Sequence, residues 1–174
     1  MFSKQLLTKL TCIKRFDKRL LSTNYGLVYE EFGEPSKVVK KKDLSDQIAR
    51  PLEANQLLIA FKASPINPAD INTIQGTYAV KPKLPAIGGN EGVAEVIGVS
   101  SDVTSVKVGD RVIPSSSASG TWRTYAIMDA NDVIKIDSTI DLMSASQLSV
   151  NPCTAYRMLK DYMVLEEGLK IQFQ

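Results

Sequence analysis

Histidine is absent from this chain of 174 residues, cysteine occurs twice and tryptophan once. A catalytic zinc needs a tetrahedral set of imidazole, thiolate and carboxylate ligands, so one built on imidazole and thiolate has almost nothing here to hold it. Cys12 and Cys153 lie far apart in sequence, and Cys12 falls in a stretch that reads as a removable leader. A structural disulfide is therefore not expected; a reducing compartment fits, with Cys153 free and buried. No apolar run is long enough to span a membrane. No excess of one charge marks the chain either, since the formal net charge is only +2.

That small positive balance is unevenly placed. Lys4, Lys9, Lys14, Arg15, Lys18 and Arg19 face a single carboxylate, Asp17, before Thr23, which leaves the remainder mildly acidic. Phe2, Leu6, Leu10, Ile13, Phe16, Leu20 and Leu21 recur at three- and four-residue steps, the spacing of one helix face, opposite the basic residues. Residues 1–23 read as a mitochondrial presequence, with a basic helix lying on anionic lipid as the alternative. The remainder has neither a basic face nor aromatic platforms, which argues against nucleic-acid binding. Lys40-Lys41-Lys42 is too short to reverse that and is expected in a solvated turn.

With 44% hydrophobic and 23% charged residues, the chain is composed like a globular domain with one core. After Tyr25, short β-branched runs alternate with Gly and Pro. Strands are expected at 27–32, 38–40, 56–63, 91–99, 111–113, 120–128 and 133–136, with a turn at Gly109-Asp110 and a flexible loop at 115–119. Helix is expected at 68–74 and from Asp141 to about Lys160, divided at Asn151-Pro152 because proline cannot continue a helix but can begin one. Asn151 is placed to cap that second helix. The pattern is mainly β with α, a partly open β-barrel rather than alternating βαβ units.

Five segments carry a more specific signal. Pro65-Ile66-Asn67-Pro68-Ala69-Asp70-Ile71-Asn72, Ile74-Gln75-Gly76-Thr77-Tyr78, Gly88-Gly89-Asn90-Glu91-Gly92, Gly120-Thr121-Trp122-Arg123 and Asn151-Pro152-Cys153-Thr154-Ala155-Tyr156-Arg157 follow one another in order. As an ordered set they resemble the mitochondrial trans-2-enoyl-CoA (enoyl thioester) reductase family, in the zinc-free, quinone-oxidoreductase-like branch of the medium-chain dehydrogenases/reductases. Asn90 stands where the zinc alcohol dehydrogenases of that superfamily carry a metal-binding histidine, so the resemblance implies no metal. It implies a GroES-like catalytic domain over 24–150, then a linking helix and the first strand of a Rossmann-type nucleotide-binding domain within 151–174.

The activity implied is NADPH-dependent reduction of a trans-2-enoyl thioester, borne on coenzyme A or on an acyl carrier protein, in mitochondrial fatty acid synthesis. Matrix localisation and a homodimer follow from the same likeness. By motif, Tyr78 is the proton donor; its bland alternative is an aromatic covering the core. A phenol suits the role because it is protonated near neutral pH yet can release a proton. Asn151 matches the residue that meets the cofactor near the nicotinamide and its ribose, a role compatible with capping. Trp122 either lines an acyl pocket or fills the core. Asn67 and Asp70 are expected to fix the corner before Tyr78, Glu91 to be structural, and Tyr125 and Tyr156 to pack.

No glycine-rich loop follows Glu167-Gly168-Leu169-Lys170-Ile171-Gln172, and the sequence stops at Gln174. The chain by itself is therefore expected neither to grip NADPH tightly nor to turn over. A spliced or truncated product, a shortened non-catalytic binding module and a fragment of an intact enzyme all fit, and a zinc-free quinone oxidoreductase is the rival activity.

Overall fold

The computed structural model describes residues 23–162 together with 165, 166, 168 and 170. The expected presequence, apart from Thr23, and most of the expected strand after Glu166 lie outside the described residues. Among the described residues, eight strands form two antiparallel sheets. One is three-stranded with order β2-β1-β4, built from β1 (Tyr25–Tyr29), β2 (Lys40–Asp43) and β4 (Ala86–Ile87). The other is five-stranded with order β7-β3-β5-β6-β8, from β3 (Gln56–Ala63), β5 (Val93–Val99), β6 (Arg111–Pro114), β7 (Tyr125–Asp129) and β8 (Val133–Ile136). Helices are few: α1 (Pro35–Val38), α2 (Pro68–Gln75), α3 (Leu142–Ser146) and α4 (Asn151–Asp161).

The central strand shows why the larger sheet forms. Leu57, Leu58, Ile59 and Ala60 are all buried in succession, as a strand covered on both faces requires, and β5 and β7 flank it. Its pairing with β5 slips between Leu58 and Ile59 and again between Phe61 and Ala63. Such bulges increase the local twist, which bends the sheet toward a barrel. The interior is Leu57, Ile59, Ala94, Val96, Val112 and Ala126, every one at or near zero exposure. A second cluster of Val93, Ile113 and Ala145 seats α3 against the sheet.

The two sheets are stitched by a segment that sequence assigns to a strand. Of residues 120–128, only those from Tyr125 onward join a ladder. The preceding stretch crosses between sheets, with Leu27 N donating to Trp122 O, Trp122 N to Gly88 O and Thr124 N to Tyr25 O, each at 2.9 Å. Gly120, at φ 67°, makes the turn that lets it enter. The result is the partly open barrel expected from the pattern.

Three local expectations change. Residues 35–38 make a short helix rather than leading into a strand at 38, because Pro35 presets the first turn. Lys40-Lys41-Lys42 is edge strand β2, not a turn. Lys41 lies 4.1 Å over the Tyr25 ring and Lys42 pairs with Glu30, so the charges are accommodated, and lysine on an outer strand discourages pairing with other chains. The 115–119 loop is tied down, since Ala118 N donates to Asn90 Oδ1 at 3.0 Å and Ser119 Oγ to Ser116 O at 2.6 Å.

The corner before Tyr78 is held by Asp70, which is 2% exposed. Its carboxylate accepts from Asn67 N at 2.7 Å and Asn90 N at 2.8 Å, joining the start of α2 to the turn before β5. Burial raises its pKa, and the charge of Glu91 adds to the rise, while the two backbone donors oppose it.

Two expected outcomes follow from this packing. Ile59→Ala should lower stability by about 2–5 kcal/mol in urea denaturation, the cost of a buried cavity. Asp70→Ala strands two buried N–H groups and should cost about 2–4 kcal/mol. Because the folded-state pKa is raised, the favourable share of Asp70 is whole below the ordinary carboxylate value and shrinks as pH rises through the raised one. The loss on Asp70→Ala is thus largest at the acid end, and a loss that grows with pH would contradict this assignment.

Candidate active site

Glu91 is the meeting point of the candidate residues. It is 1% exposed, and its carboxylate accepts from Asn67 Nδ2 at 2.8 Å, Ser149 Oγ at 3.0 Å and Val150 N at 3.0 Å. Its backbone oxygen also accepts from Thr121 Oγ1 at 2.7 Å. One side chain thereby joins the corner entering α2, the glycine turn, the inter-sheet crossing and the start of α4.

Asn151 belongs to this cluster, with its Nδ2 3.4 Å from Asn67 Oδ1. It does not cap α4. The flanking residue is Val150, and the carboxylate that satisfies its N–H comes from Glu91, 59 positions earlier in the chain. That long separation explains why local spacing misassigned the cap. Asn151 is instead an exposed residue at the helix start.

Tyr78 follows the end of α2, where Gly76 takes the left-handed conformation at φ 74°. Asn72 O accepts from Thr77 N at 3.0 Å and Tyr78 N at 3.2 Å, so the backbone of the turn is anchored. The side chain is 40% exposed, and its phenol makes no hydrogen bond among the described residues. The structure therefore leaves this group available rather than covering the core with it.

Trp122 is packed. Its Nε1 donates to Pro65 O at 3.0 Å, and its ring covers Gly88 and Gly89, where a Cβ would enter the indole. It also joins the cluster around Tyr29, Ile74 and Ala86. These contacts pack the indole against the glycine turn. A shallow depression lies beside Asp70, lined by Tyr29, Thr73, Gly88, Asn90 and Ala118; Tyr78, Trp122 and Asn151 do not line it.

Other expectations need correction. Cys153 is exposed, not buried, with Sγ 3.1 Å from Leu148 O in the turn before α4. Tyr156 does not pack: it stands 59% exposed on α4, with Lys160 beside its ring. No residue of α4 is buried.

Arg123 and Tyr29 were not singled out by sequence. The guanidinium of Arg123 donates to Ser119 O at 3.1 Å and has an unpartnered Nε, and burial lowers its pKa to about 10. Its place in Gly-Thr-Trp-Arg was the available signal. Tyr29 is a buried phenol whose pKa is raised by burial and secondarily by Asp70; nothing in its strand distinguished it.

Comparison with known proteins places this geometry. Residues 53–138 match the alcohol dehydrogenase GroES-like domain. The mitochondrial enoyl-[acyl-carrier-protein] reductase of Caenorhabditis elegans is 50% identical over 142 residues, which is 82% of this chain and 41% of the relative. The human protein of the same name is 50% identical over 143 residues, 82% of this chain and 38% of the relative. Among solved structures, the mitochondrial 2-enoyl thioester reductase Etr1p/Etr2p heterodimer from Candida tropicalis superimposes with a TM-score of 0.76 at 37% identity, covering 84% of this chain and 45% of that one. The Etr1p/NADP/crotonyl-CoA complex gives a TM-score of 0.74 at 36% identity, with 83% and 45% covered. The chain spans about two fifths of the length of these curated relatives. By its glycine turn, its antiparallel barrel and these matches, the chain is similar over most of its length to the enoyl thioester reductases, and its residues 53–138 are an alcohol dehydrogenase GroES-like domain.

Proposed function

We propose that this chain supplies the substrate-side, proton-donating part of an NADPH-dependent 2-enoyl thioester reductase in mitochondrial fatty acid synthesis. Identity of one residue in two with enzymes of that name over 82% of the chain is the observation that carries the reading. Residues 24–150 form the catalytic domain in this proposal, 151–174 lead into the nucleotide-binding domain, and 1–23 direct the protein to the matrix. The substrate is an enoyl thioester of coenzyme A or of a carrier protein, and the assembled protein is a homodimer. No helix among the described residues is long and apolar enough to cross a membrane.

The residues present suit one end of NADPH. Asn151, held by Asn67, offers an amide group at the start of α4, and Tyr78 offers a phenol without a hydrogen-bond partner among the described residues. The phosphates are not provided for among the described residues. α2, α3 and α4 each begin against a carboxylate of this same chain, from Asp70, Asp141 and Glu91, so the anion-binding ends of these helices are taken. Among the described residues both sheets are antiparallel throughout, whereas a dinucleotide cradle opens between a parallel strand and its helix.

When bound, NADPH supplies hydride to the β-carbon of the enoyl group. The work of this chain is then to stabilise charge gathering on the thioester oxygen and to hold the proton required at the α-carbon. Tyr78 can do both: its hydroxyl is a neutral donor toward an oxyanion and a source of that proton, and the anchored turn at Asn72 sets its backbone. Asn151 orients the reacting end of the cofactor, and Trp122 fixes the glycine turn opposite.

The 174-residue chain alone should show only weak NADPH binding by calorimetry, consistent with the occupied helix ends. In a catalytically active form of the protein, NADPH oxidation with crotonyl-CoA should be readily measured by absorbance. Tyr78→Phe should cut kcat by about a hundredfold or more, the usual share of a positioned acid, while NADPH affinity stays within about twofold. Undiminished turnover would remove Tyr78 from the mechanism. Activity on a quinone with none on enoyl thioesters would move the chain to the quinone oxidoreductases, and binding without redox chemistry in any active form would leave a non-catalytic module.

A further inference from the structure

A carboxylate can only accept hydrogen bonds, whereas an asparagine amide can either accept or donate, so contact between them has one possible polarity. Asn67 Nδ2 must donate to Glu91 Oε1, as observed at 2.8 Å. The amide plane then fixes Asn67 Oδ1 on the far side, where it faces Asn151 Nδ2 at 3.4 Å. Asn151 must donate in turn. Its own Oδ1 is left over, on a residue exposed at the start of α4.

Glu91 cannot easily reverse this order. Its second oxygen is committed to Val150 N, a group that only donates, and to Ser149 Oγ, both at 3.0 Å. The carboxylate is 1% exposed, so no water competes freely for it. Neighbouring charge comes from Asp70, which bonds to Asn67 N and Asn90 N and takes no part in the amide chain.

We infer that Glu91 is a positioning residue that sets the hydrogen-bond polarity of the Asn67–Asn151 pair, so that Asn151 presents its amide oxygen outward as an acceptor. The site at the head of α4 therefore selects a ligand group bearing an N–H or O–H donor. If Asn151 meets the cofactor as proposed above, a reading on which this last step rests, the matching group is the carboxamide N–H of nicotinamide. A carboxylate in the same place would meet the oxygen of Asn151 and be rejected.

The test uses the nitrogen-15-labelled chain and follows the side-chain amide resonances of Asn67 and Asn151 by NMR. Glu91→Gln keeps the shape but adds a donor, which frees Asn67 to turn. The expected result is a shift of both side-chain amide resonances, with about tenfold faster exchange of the Asn67 amide protons, the scale of one lost charge-assisted hydrogen bond. Backbone amides of β3 and β6 should stay in place. Unmoved Asn67 and Asn151 side-chain resonances in a folded Glu91→Gln chain would overturn the inference. Should that variant not fold, the coupling across the hydrogen bond from Asn67 Nδ2 to the Glu91 carboxyl carbon in the unmodified chain decides: its presence supports the polarity and its absence overturns it.

A second arm titrates the chain with nicotinamide mononucleotide and with nicotinic acid mononucleotide, which differ in the donor group. The first should move the Asn151 side-chain resonance and the second should not. Equal response to both would overturn the acceptor assignment. Silence toward both, with the amide polarity upheld in the first arm, would sink the cofactor reading and leave the role of Glu91 intact.

Discussion

A buried carboxylate with no cation beside it survives only if donors surround it, and Glu91 is satisfied by three side-chain and backbone donors drawn from two distant parts of the chain. Those donors come from the corner that begins α2 and from the turn that begins α4. The same residue's backbone oxygen holds Thr121, in the segment that crosses between the sheets. The start of α4, the corner entering α2 and the crossing segment are all referenced to this one group. Its neighbour Asp70 repeats the device, receiving two N–H groups and fastening the glycine turn to α2. The corner is thus a polar assembly set against an apolar barrel, and it gains definition from hydrogen-bond geometry rather than from volume filling.

The family resemblance and the local order of elements could be read from sequence with little loss. Gln56 to Ala63 declared itself by its unbroken apolar run, α2 by Asn-Pro followed by Gly76, and the α3–α4 division by Pro152. What escaped were features decided by contacts across the chain. Lys40-Lys41-Lys42 looks like solvent-facing charge in isolation, but backbone pairing with β1 and the ring of Tyr25 make it a strand. Asn151 looks like a cap until a carboxylate from the glycine turn takes that duty. Cys153 was assigned to the interior on the habits of its residue type, which cannot register that α4 lies along the outside. Glu91 was assigned a structural role, yet no spacing rule could announce which three partners it would gather.

The site shows a similar division. Tyr78 and Asn151 were named from motif, and the structure leaves both exposed, one at the end of α2 and the other at the head of α4. Trp122 was named with them, and its indole is spent on Pro65 and on covering two glycines. That use has its own logic. A bare Gly-Gly turn gives a flat surface on which a large ring can lie, and the ring in turn dictates that neither position can grow a side chain.

Helix α4 has the geometry of a lever. Eleven residues at the ordinary helical rise make an arm of about 16 Å. None of its side chains is buried, so its direction is set at one end, by the bonds that Val150 and Asn151 make to Glu91 and Asn67. On an arm of that length, a tilt of about 10° at the pivot carries the far end through roughly 3 Å, close to the reach of a hydrogen bond. Whatever meets the outer end of α4 is consequently aligned with the candidate site to no better tolerance than the fit of a single carboxylate among its donors.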